Sequence, residues 1–421
     1  MSSILTFGVL AVTIVLIAMH PRRLNEGIVA ALGAVAMLLI GSATPTDVWR
    51  GVVDTAPVLA FLIAMMVVAT IAQEGGCFEW AAHQAIVWSH QRARLLFLNL
   101  YLLGAIVTLF LSLDVTAIML APIVCVVVNR ARLPPIPFVL SCAYVANTAS
   151  LFLPVSNLTN MLVYSLLAIP FWTFVRLMTL PNLAAMLVNL IVFGVLFGRA
   201  IPERFVLTEP PAPASTRPGQ LELAALGLGA VIVGLLAFGA LGWPLYLPAI
   251  AGALGLAAIV LYRRDLTVRR LASGIAWPLP PFVVGMYVVI EAANRSGLSG
   301  IWARLLASAA ASTSWGGLLT ISFATALGSN LVNNLPTALI AISGLTTLPP
   351  SHIVGAAFAS LIGTNIGPHL TIFGSLATML VLGTARRYGI KITALEFLGV
   401  GIVTTPLMLL AATGTLWLLI R

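Results

Sequence analysis

Charge is what this sequence has least of. Of its 421 residues only 8% are Asp, Glu, Lys or Arg, where a soluble domain carries about 25%. Hydrophobic residues make up 60% and the mean hydropathy is +1.09. Apolar stretches of about 15–22 residues recur along the whole chain, near the length that spans a bilayer. The sequence therefore predicts a polytopic membrane protein. Strand-like alternation of apolar and polar residues is missing, which excludes an outer-membrane barrel. Cysteine is scarce too. Cys77, Cys125 and Cys142 form no CxxC and no metal-ligand spacing, and read as small apolar side chains in helices rather than soft ligands. Lysine is nearly absent, Lys391 being the single one; nothing in the sequence gives that bias a function.

The net charge of +9 does not make a nucleic-acid binder, because the basic residues are scattered among short interhelical loops, as the positive-inside rule expects. The first stretch, "MSSILTFGVLAVTIVLIAMH", has no basic residue before its apolar run, and Arg22 and Arg23 follow it. It reads as a retained first span with the N-terminus outside.

A proline-rich polar linker, residues 201–220, divides the chain into residues 1–200 and 221–421. The two halves carry similar punctuation. "MMVVATIAQEGG" is matched by "GMYVVIEAANRSG", and each is followed by an amphipathic piece, with Trp80, Trp88 and Arg92 in one and Trp302 and Arg304 in the other. "LSLDVTAIMLAP" pairs with "GSNLVNNLPTALIA", and "ANTASLFLPVSNLTNM" with "GTNIGPHLTIFGSLATM". That places Asn147 opposite Asn365 and Asn157 opposite Ser375. The basic clusters fall in non-equivalent loops of the two halves, as expected if the second repeat is inverted. The linker then lies in the cytoplasm and the C-terminus outside.

The expected fold is all-α, with about ten spanning elements, broken helices and two re-entrant hairpins, an architecture of many secondary transporters. In the first hairpin the arms are residues 95–113 and 115–128 with Asp114 at the turn. Two full helices with Asp114 at the outer surface remain the competing reading. In the second, residues 315–327 and 336–345 are the arms and "GSNLVNN" is the tip. The broken crossings are 137–149 with 158–169, and 353–361 with 376–385. Irregular backbone at membrane depth is tolerated only where it lines a cavity, so the breaks are expected to meet near the midplane.

The polar groups gathered there are the candidate site. Asn147, Ser156, Asn157 and Asn160 come from the first half, and Ser329, Asn330, Asn333, Asn334, Asn365, Thr371 and Ser375 from the second. Any one of them could simply glue helices, but so many amides at matched positions point to a solute. Asp114 is the one acidic residue inside a long apolar tract, and intramembrane carboxylates default to ion or proton sites. His369 is the second candidate for proton coupling. Glu74 and Glu291 sit at helix ends. No metal site and no cofactor are expected. An intramembrane hydrolase would need a Ser with His or Asp, and His20, His83, His90 and His352 look peripheral.

"LSLDVTAIMLAPIV", "ANTASLFLPVSNLTNMLV", "ALGSNLVNNLPTALIA" and "IGTNIGPHLTIFGSLATML" closely resemble the ArsB-type arsenite efflux permeases of the ion transporter (ArsB/NhaD) superfamily, over the whole chain. The resemblance implies a bacterial inner-membrane protein that exports arsenite and antimonite in exchange for protons, with an ArsA-type cytoplasmic ATPase as a partner in some systems. There is no P-loop, so this chain does not hydrolyse ATP by that route. Arsenite at neutral pH is an uncharged trihydroxide, suited to a site of Asn, Ser and Thr without fixed charge. A Na+/H+ antiporter of the same superfamily is the alternative; there an Asp-Asn pair is usual in the first hairpin, whereas Val115 follows Asp114 here. The oligomeric state is not legible.

Overall fold

The computed structural model describes residues 2–19, 25–206, 219–298, 300, 314–345 and 348–421. Trp302, Arg304, Arg22, Arg23 and most of the linker lie outside the described residues. The rest is helical, in an all-α membrane fold. Among the described residues seven helices are long and apolar enough to cross a bilayer. Shorter apolar helices and broken crossings lie between them.

The first half runs through α1 (Ser2–Met19), α2 (Glu26–Leu39), α3 (Pro45–Glu74), α4 (Cys77–Val87), α5 (Ala93–Leu111) and α6 (Leu113–Arg130). It ends in α7 (Pro135–Thr148), α8 (Leu158–Leu166) and α9 (Phe171–Phe197). The second half follows with α10 (Gln220–Ala240), α11 (Tyr246–Tyr262), α12 (Val268–Ser273) and α13 (Leu279–Arg295). Then come α14 (Trp315–Val332), α15 (Asn334–Leu345), α16 (Pro350–Ile366), α17 (Leu376–Arg387) and α18 (Ala394–Ile420).

Local chemistry sets several of these boundaries. Thr44 and Asp47 form a capping box before Pro45, and Thr393 and Glu396 form another at α18. Asn157 caps α8 by accepting from the Thr159 N–H at 3.1 Å. Tryptophans 49, 80, 88, 172, 243, 277 and 315 remain exposed at or near helix ends, as in the aromatic belts of membrane interfaces.

The halves interlock rather than sit side by side. α2 packs on α13, α3 packs on α11, and α9 packs along α18. Small residues permit the close approach: a Cβ on Gly285 would lie 2.6 Å from the Ala30 backbone. Charges pin the ends of α3. Arg295 pairs with Asp47 at its start, and Arg270 reaches Glu74 at its end at 2.6 Å. Of the two carboxylates expected at helix ends, Glu74 is held by Arg270 and Glu291 makes a looser contact to Arg295 at 3.6 Å; Asp47 was not among those expected.

The structure shifts several expected boundaries. The first turn falls on Ser112, not Asp114, which lies in the first turn of α6. The second tip narrows from seven residues to one, Asn333, because α14 continues helically through Val332. Ser329 Oγ donates to the Thr325 carbonyl and Asn330 Nδ2 to the Ala326 carbonyl, so these side chains serve their own helix instead of ending it. The second crossing likewise keeps Asn365 inside α16.

Candidate functional site

Two pairs of backbone irregularities define the centre. Ser112 joins α5 to α6 at φ 109°, ψ 160°, and Asn333 joins α14 to α15 at φ 76°, ψ 158°. Non-glycine residues rarely adopt that conformation. Each break offers its N–H to the carbonyl four residues earlier, on Thr108 and Ser329 respectively. Each is followed four residues on by a threonine that returns its hydroxyl to the break's carbonyl, Thr116 at 3.4 Å and Thr337 at 2.8 Å.

The broken crossings repeat one another more closely. Each has two short 3₁₀ turns, Ala149–Leu151 with Pro154–Ser156, and Gly367–His369 with Ile372–Gly374. Between them stand Leu153 (φ −117°, ψ 153°) and Thr371 (φ −131°, ψ 147°). The next helices begin at Asn157 (φ −149°, ψ 142°) and Ser375 (φ −143°, ψ 140°).

Asn365 is the hub of one polar cluster. Its Oδ1 accepts from Asn157 Nδ2 at 2.6 Å and from Thr159 Oγ1 at 3.0 Å, and its Nδ2 donates to Asn160 Oδ1 at 2.7 Å. Asn160 Nδ2 in turn donates to the carbonyls of Ser150 and Leu153. All four side chains are buried, and their mutual bonds offset the cost of taking amides out of water.

Asn147 occupies the matching place in the other half. Its Nδ2 donates to Thr378 Oγ1 at 3.0 Å, as Asn365 donates to Asn160. Here the cluster stops short. Asn147 Oδ1 and Ser375 Oγ are fully buried and have no hydrogen-bond partner among the described residues. Ser375 does not cap α17, whereas Asn157 caps α8. Asp114, on the neighbouring α6, is 7% exposed and makes no hydrogen bond or ion pair with a described residue. Its segment packs against both α7 and α17.

The tip of the second half is stapled to its own crossing. Asn330 Nδ2 donates to the Gly367 carbonyl at 2.7 Å, and Thr371 Oγ1 donates to Asn330 Oδ1 at 2.8 Å. Asn333 Nδ2 donates to the Phe373 carbonyl, and Ser329 is in reach of the Thr364 carbonyl. Asn334 makes no side-chain hydrogen bond with a described residue. In the first half a single bond does the same service, from Ser156 Oγ to the Leu109 carbonyl at 2.6 Å. His369 stacks on Tyr144 with centroids 4.3 Å apart. Its Nε2 lies 3.1 Å from the Tyr144 carbonyl, which only accepts, so Nε2 carries the proton.

The structure therefore brings the sequence-selected residues to the breaks but divides them. Asn157 and Asn160 both bond Asn365; Ser329, Asn330, Asn333 and Thr371 anchor a tip; Asn147 and Ser375 keep unpaired atoms on elements that pack against the Asp114 segment. Three participants were missed: Ser150, Thr159 and Thr378. Extending the sequence pairing by three residues past Asn157 and Ser375 sets Asn160 opposite Thr378 and would have found the last. Among the described residues no three His, Cys, Asp or Glu side chains stand together as a metal site.

Known proteins match the chain over almost its full length. The family described as arsenical pump membrane protein matches residues 5–419. An arsenical pump membrane protein of Escherichia coli is 31% identical over 412 residues, covering 96% of this chain and 95% of that one. One from Yersinia enterocolitica is 29% identical with the same coverage. The crystal structure of the Alcanivorax borkumensis YdaH transporter superposes with a TM-score of 0.57 at 15% identity, over 89% of this chain and 87% of that one.

Proposed function

The chain belongs to the arsenical pump membrane protein family, and from that membership we propose that it exports arsenite and antimonite from the cytoplasm in exchange for protons, by alternating access at the midplane. The observation that carries the reading is Asp114: a buried carboxyl with no cation partner among the described residues, beside a turn and on a segment packed against the helices of two broken crossings that carry neutral amides and hydroxyls. A hydrocarbon-depth carboxyl without a partner is costly to keep unless it titrates or binds. A neutral trihydroxide needs donors and acceptors but no fixed charge, and the surrounding Asn, Ser and Thr side chains supply both. We place the coupling proton on Asp114 first and on His369 second, because His369 Nε2 is already committed to the Tyr144 carbonyl, leaving only Nδ1 unpartnered among the described residues.

The proposal takes residues 1–200 and 221–421 as inverted repeats joined by a cytoplasmic linker, with both termini outside the bacterial inner membrane. Support comes from the repeated backbone at the two crossings and tips, and from the reciprocal packing of α2 with α13 and α3 with α11. The α5–α6 and α14–α15 pairs are taken as the two re-entrant hairpins. α4 touches both α5 and α6, as a helix at the shared base of one hairpin does. An ArsA-type ATPase would dock on the cytoplasmic face.

Expression in a bacterium lacking its arsenite exporter tests the function. Restored arsenite resistance with unchanged sodium tolerance supports it. Sodium tolerance without arsenite resistance would replace it with Na+/H+ antiport.

A further inference from the structure

The two polar clusters are built on one plan but finished differently, and one of them keeps unpaired polar atoms. In the finished cluster Asn157 fills the N-cap of α8, donates to Asn365 Oδ1 and is joined there by Thr159. In the other, the N-cap position holds Ser375, shorter by a full amide, and the place of Thr159 is taken by Ala377. The acceptor that corresponds to Asn365 Oδ1 is Asn147 Oδ1, and it is left without a partner, as is Ser375 Oγ. Both residues are 0% exposed. The side chain missing from this cluster is the donor that would join them.

Three more features converge there. The first turn of α17 has no side-chain cap, so its N–H groups are available to an oxygen acceptor. Thr378 Oγ1 accepts from Asn147 Nδ2, which leaves its hydroxyl hydrogen free to donate. A cavity of about 420 Å³ runs between α6 and α17, lined among others by Ile118, Met379, Arg387 and Tyr388. Ile118 lies one helical turn beyond Asp114 and Met379 one turn beyond Ser375. The cavity thus comes within a turn of both groups. Its far end, at Arg387 and Tyr388, is where Asn129 Nδ2 donates to the Tyr388 carbonyl. Asn147, Ser375 and Thr378 lie behind its walls rather than in its lining, and they do not line the cavity of about 730 Å³ between Arg94, Phe193 and Ile201 either.

We propose that this single cluster, Asn147, Ser375 and Thr378 with the N-terminus of α17, is the binding site for a small neutral polyhydroxyl solute, reached through the α6–α17 cleft, and that the Asn365 cluster is its closed structural counterpart. Such a solute donates to Asn147 Oδ1, accepts from the α17 N–H groups and from Thr378, and exchanges both with Ser375. The inference rests on the transport reading for its ligand, the arsenic or antimony trihydroxide. It assigns to one half what the sequence spreads over both.

Ser375→Asn installs in the open cluster the residue that closes the other one. Purified full-length chain is to be melted with and without arsenite or antimonite, and arsenite uptake measured in everted vesicles. The expected result is a higher melting temperature for S375N, no further shift on adding arsenite, and uptake reduced at least about tenfold. Ser375→Ala removes the hydroxyl without filling the space, and should weaken the half-saturating arsenite concentration by about tenfold at an unlowered melting temperature. Should S375N fail to fold, S375A alone decides. Wild-type uptake and wild-type arsenite shift in either folded variant overturn the site. Wild-type vesicles that take up no arsenite defeat the transport reading and the ligand with it.

Discussion

Asn157 Nδ2 donates to Asn365 Oδ1 at 2.6 Å, a bond between residues 208 positions apart that ties the α8 N-terminus of the first half to the α16 C-terminus of the second. With Thr159 and Asn160 it gives Asn365 three side-chain hydrogen bonds, all of them to the first half. Asn365→Ala would strand the buried Asn160 Oδ1 and Thr159 hydroxyl at once. Each buried group left unpaired costs about 1–3 kcal/mol, so the variant should lose roughly 3 kcal/mol of stability. Thermal melting of the purified protein checks it, and a wild-type melting temperature would show that the cluster contributes nothing to the fold.

Asp114 is the residue on which coupling is staked. Asp114→Asn keeps the shape and the hydrogen-bonding capacity but not the exchangeable charge. Everted vesicles carrying D114N should show no arsenite uptake driven by a proton gradient, while arsenite still shifts the melting temperature of the purified variant. Undiminished gradient-driven uptake would remove Asp114 from the coupling step.

How much of this centre was legible in the sequence depends on what breaks the helix. The broken crossings were placed within a few residues, because Pro154 in the first, and Pro368 with Gly367 and Gly374 in the second, mark irregular backbone. The first tip was displaced by two residues, from Asp114 to Ser112, and the second was drawn too wide around Asn333. Asn330 and Ser329 look like helix breakers, yet their side chains bond the Ala326 and Thr325 carbonyls of their own helix. The actual breaks sit at Ser112 and Asn333, in a positive-φ conformation that neither residue type announces. Matching the halves sets Asn147 opposite Asn365, and each donates its amide to a side chain on the helix that follows a break. What was not legible is that one partner would be saturated and the other left open, since that depends on three-dimensional reach across the interface.

The same two break residues lead to different expectations. Ser112 makes no side-chain hydrogen bond with a described residue, so Ser112→Gly relieves its positive φ at little loss. It should stabilise the protein by about 1 kcal/mol, within the usual range for conformational relief at such sites. Asn333→Gly gives the same relief but forfeits the bond to the Phe373 carbonyl, so the gain should largely cancel. Melting curves for the pair decide it. A stabilised N333G would mean that the Asn333 amide does not hold the tip to its crossing.

α18 offers a test of how tightly the second crossing is held, using two glycines two residues apart. A Cβ at Gly401 would run into the His369 carbonyl and lie 3.1 Å from the Leu370 Cα. Neither neighbour can yield without moving the 3₁₀ turn that leads to Thr371. A Cβ at Gly399 meets nothing within 4 Å. Alanine in a helix interior is favoured over glycine by about 1 kcal/mol, so Gly399→Ala should leave stability unchanged or slightly raised. Gly401→Ala gains the same propensity but must shift packed backbone, at a cost of about 1–3 kcal/mol. Its expected signature is a lower melting temperature together with reduced arsenite uptake, although no polar group has been removed. Equal behaviour of the two variants would show that the crossing moves freely against α18, and that its geometry is set from the Asn330 and Thr371 side alone.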